Sequence, residues 1–169
     1  MKDKYLYSPW RLDYILGEKP EDCILCRYQN LGEDCENLIV WRGKHCYIML
    51  NRYPYNNGHI MIVPYRHADS LGKLDHLALN SLFRLLQAGE SALTEVYKCE
   101  GINIGLNLGL AAGAGIRDHL HFHMVPRWQG DSNFMSVISG ERVIPEAFEL
   151  SWQKLRDQFA ILLTPTELY

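Results

Sequence analysis

His119-Leu120-His121-Phe122-His123-Met124-Val125 is the stretch on which the reading of this chain turns. Three of the chain's seven histidines stand here at i, i+2 and i+4, with apolar residues between and after them. Side chains alternate across a β-strand, so this spacing places three imidazoles on one face and apolar groups on the other. On a helix both sets would scatter around the axis. Imidazole transfers protons, attacks electrophiles and ligates metals near neutral pH. A strand face carrying three imidazoles is therefore either a site of chemistry or a metal-binding or solvated surface without chemistry.

Outward from this strand the pattern is that of an α+β domain. Residues 109–115, Gly-Leu-Ala-Ala-Gly-Ala-Gly, are too small and flexible for core and read as a loop. Before them, residues 102–107 form a strand. Leu79, Leu82, Leu86, Leu93, Val96 and Tyr97 recur at helical spacing. They predict one long amphipathic helix over residues 75–98, closed by Gly101. Three further strand-like runs cover residues 38–41, 46–50 and 59–64, punctuated by Arg42-Gly43 and Asn56-Asn57-Gly58. The first 35 residues read as irregular, with a turn of helix near residues 10–16, and a last helix is expected over 146–163. Together these give an antiparallel sheet with helices packed on one face.

The composition excludes several classes. A chain of 169 residues with 47% hydrophobic and 22% charged residues fits one domain with a real core. A net charge of −3 without a basic run argues against binding nucleic-acid polymers, though not against nucleotides. No apolar run reaches the ~18 residues of a membrane span. The start of the chain lacks the apolar stretch of a secretory signal. Five cysteines, an odd number, do not suggest a disulfide scaffold, and the cytoplasm is the expected compartment.

Three constellations carry candidate chemistry. The small loop before the histidines lets backbone N–H groups approach an anion, as in phosphate sites. Beside it, one neutral imidazole can attack phosphorus while its neighbours hold the phosphate or the leaving oxygen. Cys23-Ile24-Leu25-Cys26 supplies half of a zinc site, for which His67 and His119 are suitable further donors. Its alternative is a pair of buried thiols, whereas the remaining cysteines have no partner spacing. Asn51 to His59 reads as a strand end and a turn ahead of a histidine that is either functional or merely exposed. Trp128, in Pro126-Arg127-Trp128, belongs to the mouth of the site, the core or an interface.

These residues resemble the histidine triad (HIT) family. His119 to Val125 matches its His-x-His-x-His pattern. Asn51-Arg52 followed by Gly58 to Pro64 resembles the family's first signature. Asn107 with Gly113-Ala114-Gly115 resembles the block before the triad. The flanks Ser8-Pro9-Trp10-Arg11, Cys23-x-x-Cys26 and Pro126 to Met135 look like the branch of bacterial diadenosine tetraphosphate phosphorylases. The resemblance implies a five-stranded antiparallel sheet with a long helix and a C-terminal helix. It implies a single HIT domain over residues 1–169, with its core at about 20–135 and an extension at 136–169, paired into homodimers.

It also implies nucleotidyl transfer from dinucleoside polyphosphates, cut at an α-phosphate by phosphorolysis or hydrolysis. Inorganic phosphate or water is then the acceptor. On this sequence His121 is the implied nucleophile, and His123 with His59 contacts the phosphate and leaving group. Asn51 faces the nucleoside, Asn107 the phosphates, and the N–H groups of Gly113, Ala114 and Gly115 the non-bridging oxygens. Zinc on Cys23, Cys26, His67 and His119 is structural. Relatives with a Gln in the glycine loop differ, because Ala114 and Gly115 stand there. The alternatives are a nucleoside phosphoramidase or mononucleotidyl hydrolase, and a nucleotide-binding or sensing module without turnover.

Overall fold

A computed structural model of the protein describes residues 23–131 and 146–163. The expected turn of helix at 10–16, the flank at residues 8–11 and residues 132–135 lie outside the described residues. Five strands form one antiparallel sheet: β1 (Ile39–Arg42), β2 (Cys46–Leu50), β3 (Ile60–Pro64), β4 (Gly101–Leu106) and β5 (Phe122–Arg127). Their spatial order is β1-β2-β3-β5-β4. β5 is thus an inner strand, with Met61 of β3 and Gly105 of β4 both opposite His123.

The triad is less uniform than its spacing predicts. β5 begins at Phe122, so His119 and His121 precede the strand. The alternation survives in this approach segment. Leu120 donates its N–H to the carbonyl of Ala68, 2.7 Å away, and is buried with Met124 in the larger core.

That core lies between one sheet face and two helices, α2 (His76–Tyr97) and α3 (Phe148–Leu162). The Asp75 carboxylate caps α2 by accepting the Ala78 N–H at 2.8 Å. Leu82, Leu85 and Leu93 are fully buried, each contributing about 1.5–3 kcal/mol of apolar burial. α3 adds Leu155 and Phe159, and its Trp152 indole N–H donates to the Ile39 carbonyl. The predicted end of α2 needs correcting. Lys98, in the left-handed region with φ 48°, closes the helix, and Gly101 instead opens β4.

The opposite sheet face carries a helix that the sequence reading left irregular. α1 (Ile24–Asn30) follows the first cysteine directly and packs Leu25 on Tyr47, Met49 and Met61. The expectation of helices on one face is therefore corrected. Tertiary contacts stabilise this short helix. The buried Tyr47 hydroxyl donates to the Leu25 carbonyl at 2.9 Å. The Arg42 guanidinium donates to the carbonyls of Gln29 and Leu31 at 2.7 and 2.9 Å, satisfying the open C-terminal end of α1.

Candidate active site and metal centre

α1 and the approach to β5 bring Cys23, Cys26, His67 and His119 together. One ligand atom from each lies within 4.8 Å of all the others. The His119 Nδ1 is 3.4 Å from both sulfurs, and the His67 Nδ1 is 3.3 Å from Cys26 Sγ. A tetrahedral ion bound at ordinary zinc–sulfur and zinc–nitrogen lengths separates such atoms by about 3.5 Å, so the donor set fits one. His119 Nε2 donates to the Pro64 carbonyl at 2.8 Å, which fixes the tautomer and leaves Nδ1 basic toward the thiols. Burial is the main reason the His119 pKa falls to about 4, with His67 and His121 adding to the drop and the Pro64 bond opposing it. Its ring is therefore neutral and able to ligate.

Beside this centre lies a cavity of about 190 Å³. His121, His123, Asn51, Asn107, Gly113 and Gly115 are among the residues that line it. Ile24, Leu25 and Tyr28 of α1, with Ile116, form an apolar wall. Tyr53, Tyr55 and Arg52 also line it. Ala114 is buried and stays outside the lining, and the half-buried Trp128 does not reach the cavity either. His59 is fully buried and meets the site only through other side chains.

The hydrogen bonds assign each imidazole a tautomer. His121 Nδ1 donates to the His119 carbonyl at 2.9 Å, leaving Nε2 with its lone pair. Burial lowers the His121 pKa, and its bond to His119 opposes the drop. His59 Nδ1 accepts the backbone N–H of Tyr55 at 3.0 Å, so its proton sits on Nε2. That Nε2–H donates to His123 Nδ1 at 3.0 Å, which places the His123 proton on its own Nε2. Burial, with His123 and His121 nearby, holds His59 well below its usual pKa and keeps its ring neutral. The His121 and His123 rings meet edge to face, 4.8 Å apart. One ring thus offers a lone pair and its neighbour a proton, the pairing needed for displacement at phosphorus.

The glycine loop departs from expectation. The Gly113 N–H is bonded to the Leu110 carbonyl at 2.9 Å and that of Ala114 to Gly109 at 3.3 Å. Two of the three N–H groups expected to face phosphate are thus used within the loop's own turn. Gly115 has no such bond among the described residues.

The sequence reading missed the wall of α1, the ring of Tyr55 stacked on His59 at 5.0 Å, and the contact between Asn56 and Asp131. The cysteine pair, with Cys23 just before α1 and Cys26 inside it, was the one available signal for the first. Nothing local marks the others.

The family model for the HIT domain matches residues 33–130. The chain is 45% identical to the AP-4-A phosphorylase of Mycobacterium tuberculosis, over 94% of this chain and 82% of that one. It is 26% identical to the asymmetrical bis(5'-nucleosyl)-tetraphosphatase of Schizosaccharomyces pombe, over 61% of this chain and 56% of that one. Among solved structures, a Zn-bound histidine triad family protein from Mycobacterium smegmatis aligns with TM-score 0.65 at 24% identity, over 83% of this chain and 95% of that one. With all five strands of its sheet inside the family match and 45% identity to a relative along nearly its whole length, the chain belongs to the HIT family.

Proposed function

We propose that this HIT enzyme cleaves dinucleoside polyphosphates, of which diadenosine tetraphosphate is the model case, at an α-phosphate through a nucleotidyl group carried on His121. The name of the Mycobacterium tuberculosis relative supplies the substrate class. The observation that carries the chemistry is the bond from His121 Nδ1 to the His119 carbonyl, because it leaves the nucleophilic nitrogen bare.

The reaction runs in two displacements. The Nε2 lone pair of His121 forms a P–N bond as the bridging P–O bond breaks. The departing phosphate oxygen leaves as the anion, held by a hydrogen bond from the Nε2–H of His123. Water or inorganic phosphate then attacks phosphorus as the P–N bond breaks, which frees His121 as a neutral imidazole, and any proton the acceptor gives up passes to solvent. Asn51 faces the ribose, Asn107 and the Gly115 N–H hold phosphate oxygens, and the apolar wall receives the nucleobase. His59 keeps the His123 tautomer.

The metal proposed for the Cys23, Cys26, His67 and His119 centre is Zn²⁺, supported by the two-thiol, two-imidazole donor set. When bound it supplies a structural clamp rather than catalysis. Residues 1–169 are read as one HIT domain acting as a homodimer in the cytoplasm. Pairing along β4 accounts for an edge strand with Ile104 at 48% exposure. Among the described residues no helix is long and apolar enough to cross a membrane.

Product identification from diadenosine tetraphosphate, with and without inorganic phosphate, tests the reading. ADP formed only with phosphate indicates phosphorolysis, and AMP indicates hydrolysis. Saturable binding with no product under either condition overturns it. A higher rate on adenosine phosphoramidate would favour the phosphoramidase alternative.

A further inference from the structure

We propose that Asn56 and Asp131, which do not line the cavity, are positioning residues that set the proton on His123 by holding the Tyr55 N–H against His59. The linked histidines come from two separate segments. His59 and the turn before it precede β3, whereas His121 and His123 belong to β5 and its approach. Inside the site the two segments meet at the 3.0 Å bond from His59 to His123. Besides the pairing of β3 with β5, they meet again outside the cavity, at Asn56.

The Asn56 Nδ2 donates one proton to the Pro126 carbonyl of β5 at 3.1 Å and the other to Asp131 Oδ2 at 3.0 Å. Its backbone carbonyl accepts the His59 N–H at 3.2 Å, closing the turn. Asp131 is a firm anchor. Its side chain is 9% exposed and takes a two-point bond from Arg127, at 2.6 Å from Nε and 2.7 Å from Nη2. Arg127 ends β5 and also donates to Asn103 of β4 at 2.8 Å, so the post stands on two strands.

Tyr55 immediately precedes Asn56, and its N–H is the donor that makes His59 Nδ1 an acceptor. A backbone N–H cannot reverse its role, unlike a hydroxyl or a second imidazole. It therefore sets the direction of the whole chain: Tyr55 to His59, His59 to His123, and the His123 Nε2 proton toward the cavity. Without the Asn56 tie the turn keeps its own bonds, from the Asn51 N–H to the His59 carbonyl and from the His59 N–H to the Asn56 carbonyl, but loses its anchor to β5 and Asp131, and the Tyr55 N–H shifts against His59. The proton on each ring is then free to move to Nδ1, and His123 loses its donor.

This inference rests on the role given to His123 above, but its first test does not need that role. In ¹⁵N-resolved imidazole spectra of the full chain, His59 and His123 both show the Nε2–H tautomer. An Nδ1–H tautomer on either ring overturns the inference without any substitution. In Asn56→Ala and Asp131→Ala the two rings show mixed tautomers, while His121, fixed by the His119 carbonyl, keeps its own. Unchanged tautomers in a folded variant overturn the inference. On diadenosine tetraphosphate, kcat falls about tenfold or more with KM within about twofold, the pattern of a weakened hydrogen bond to the leaving oxygen rather than a damaged pocket. A matched rise in KM with kcat intact overturns it. A His123→Ala variant with undiminished kcat would instead contradict the functional reading and leave the tautomer test standing.

Discussion

His121 Nδ1 donates to the backbone carbonyl of His119, 2.9 Å away, while the His119 ring faces Cys23 and Cys26. The residue that completes the candidate metal site is thus the one that sets the tautomer of the proposed nucleophile. Substituting His121 by Asn removes the nucleophile and leaves the cavity wall intact. Activity on diadenosine tetraphosphate should fall by at least about 10³-fold, while equilibrium dialysis still shows nucleotide binding. Full activity in this variant would exclude the covalent route.

Loss of the proposed metal should act on substrate affinity as well as on stability. Cys26 lies within α1, and the same helix presents Ile24, Leu25 and Tyr28 to the cavity. Cys23→Ala or chelation therefore releases a wall of the pocket. The melting temperature should drop by at least about 5 °C, with metal content falling in parallel and the nucleotide dissociation constant rising. A metal-free protein with native melting and native nucleotide affinity would show that the centre has no such role.

Acid should destabilise the fold through His59. Unfolded histidine titrates at about 6.5. In the fold, burial and the adjacent His123 and His121 keep His59 neutral far below that value. Below about pH 6.5 the unfolded chain takes up a proton that the folded chain refuses, so this contribution is complete above that pH and is lost as pH falls. From pH 6 to pH 5, wild-type unfolding free energy in urea should fall about 1 kcal/mol more than that of His59→Gln. Equal slopes would mean that His59 is charged in the fold.

Gly58 tests the turn that carries His59. Its φ is +71°, and an added Cβ would lie 2.4 Å from a ring carbon of Tyr97. Gly58→Ala combines left-handed strain with overpacking, a loss of roughly 2–4 kcal/mol. Urea unfolding measures it, and a change below about 0.5 kcal/mol would place the turn elsewhere.

The sequence exposed the parts of this structure that depend on periodicity. The alternation around His121, the leucine spacing of α2 and the strand runs all follow from a residue's near neighbours. The donor set Cys23, Cys26, His67 and His119 was legible because ligand chemistry narrows the choice of residues. α1 was not, because its seven residues are held by Arg42 and Tyr47, from strands that pairing alone brings near. The loop at 109–115 looked like an open anion site. Composition does not show that the Gly113 and Ala114 N–H groups close the loop's own turn. Asn56 read as turn punctuation, and its tie to Asp131 spans 75 residues of chain.

The stereochemical course at phosphorus tests the central claim most directly. A dinucleoside tetraphosphate made chiral by sulfur at the attacked α-phosphate is turned over with the accepted oxygen labelled. Two displacements, with His121 carrying the nucleotidyl group between them, give retention of configuration. Inversion would mean that water or phosphate attacks the substrate directly, and it would contradict the account.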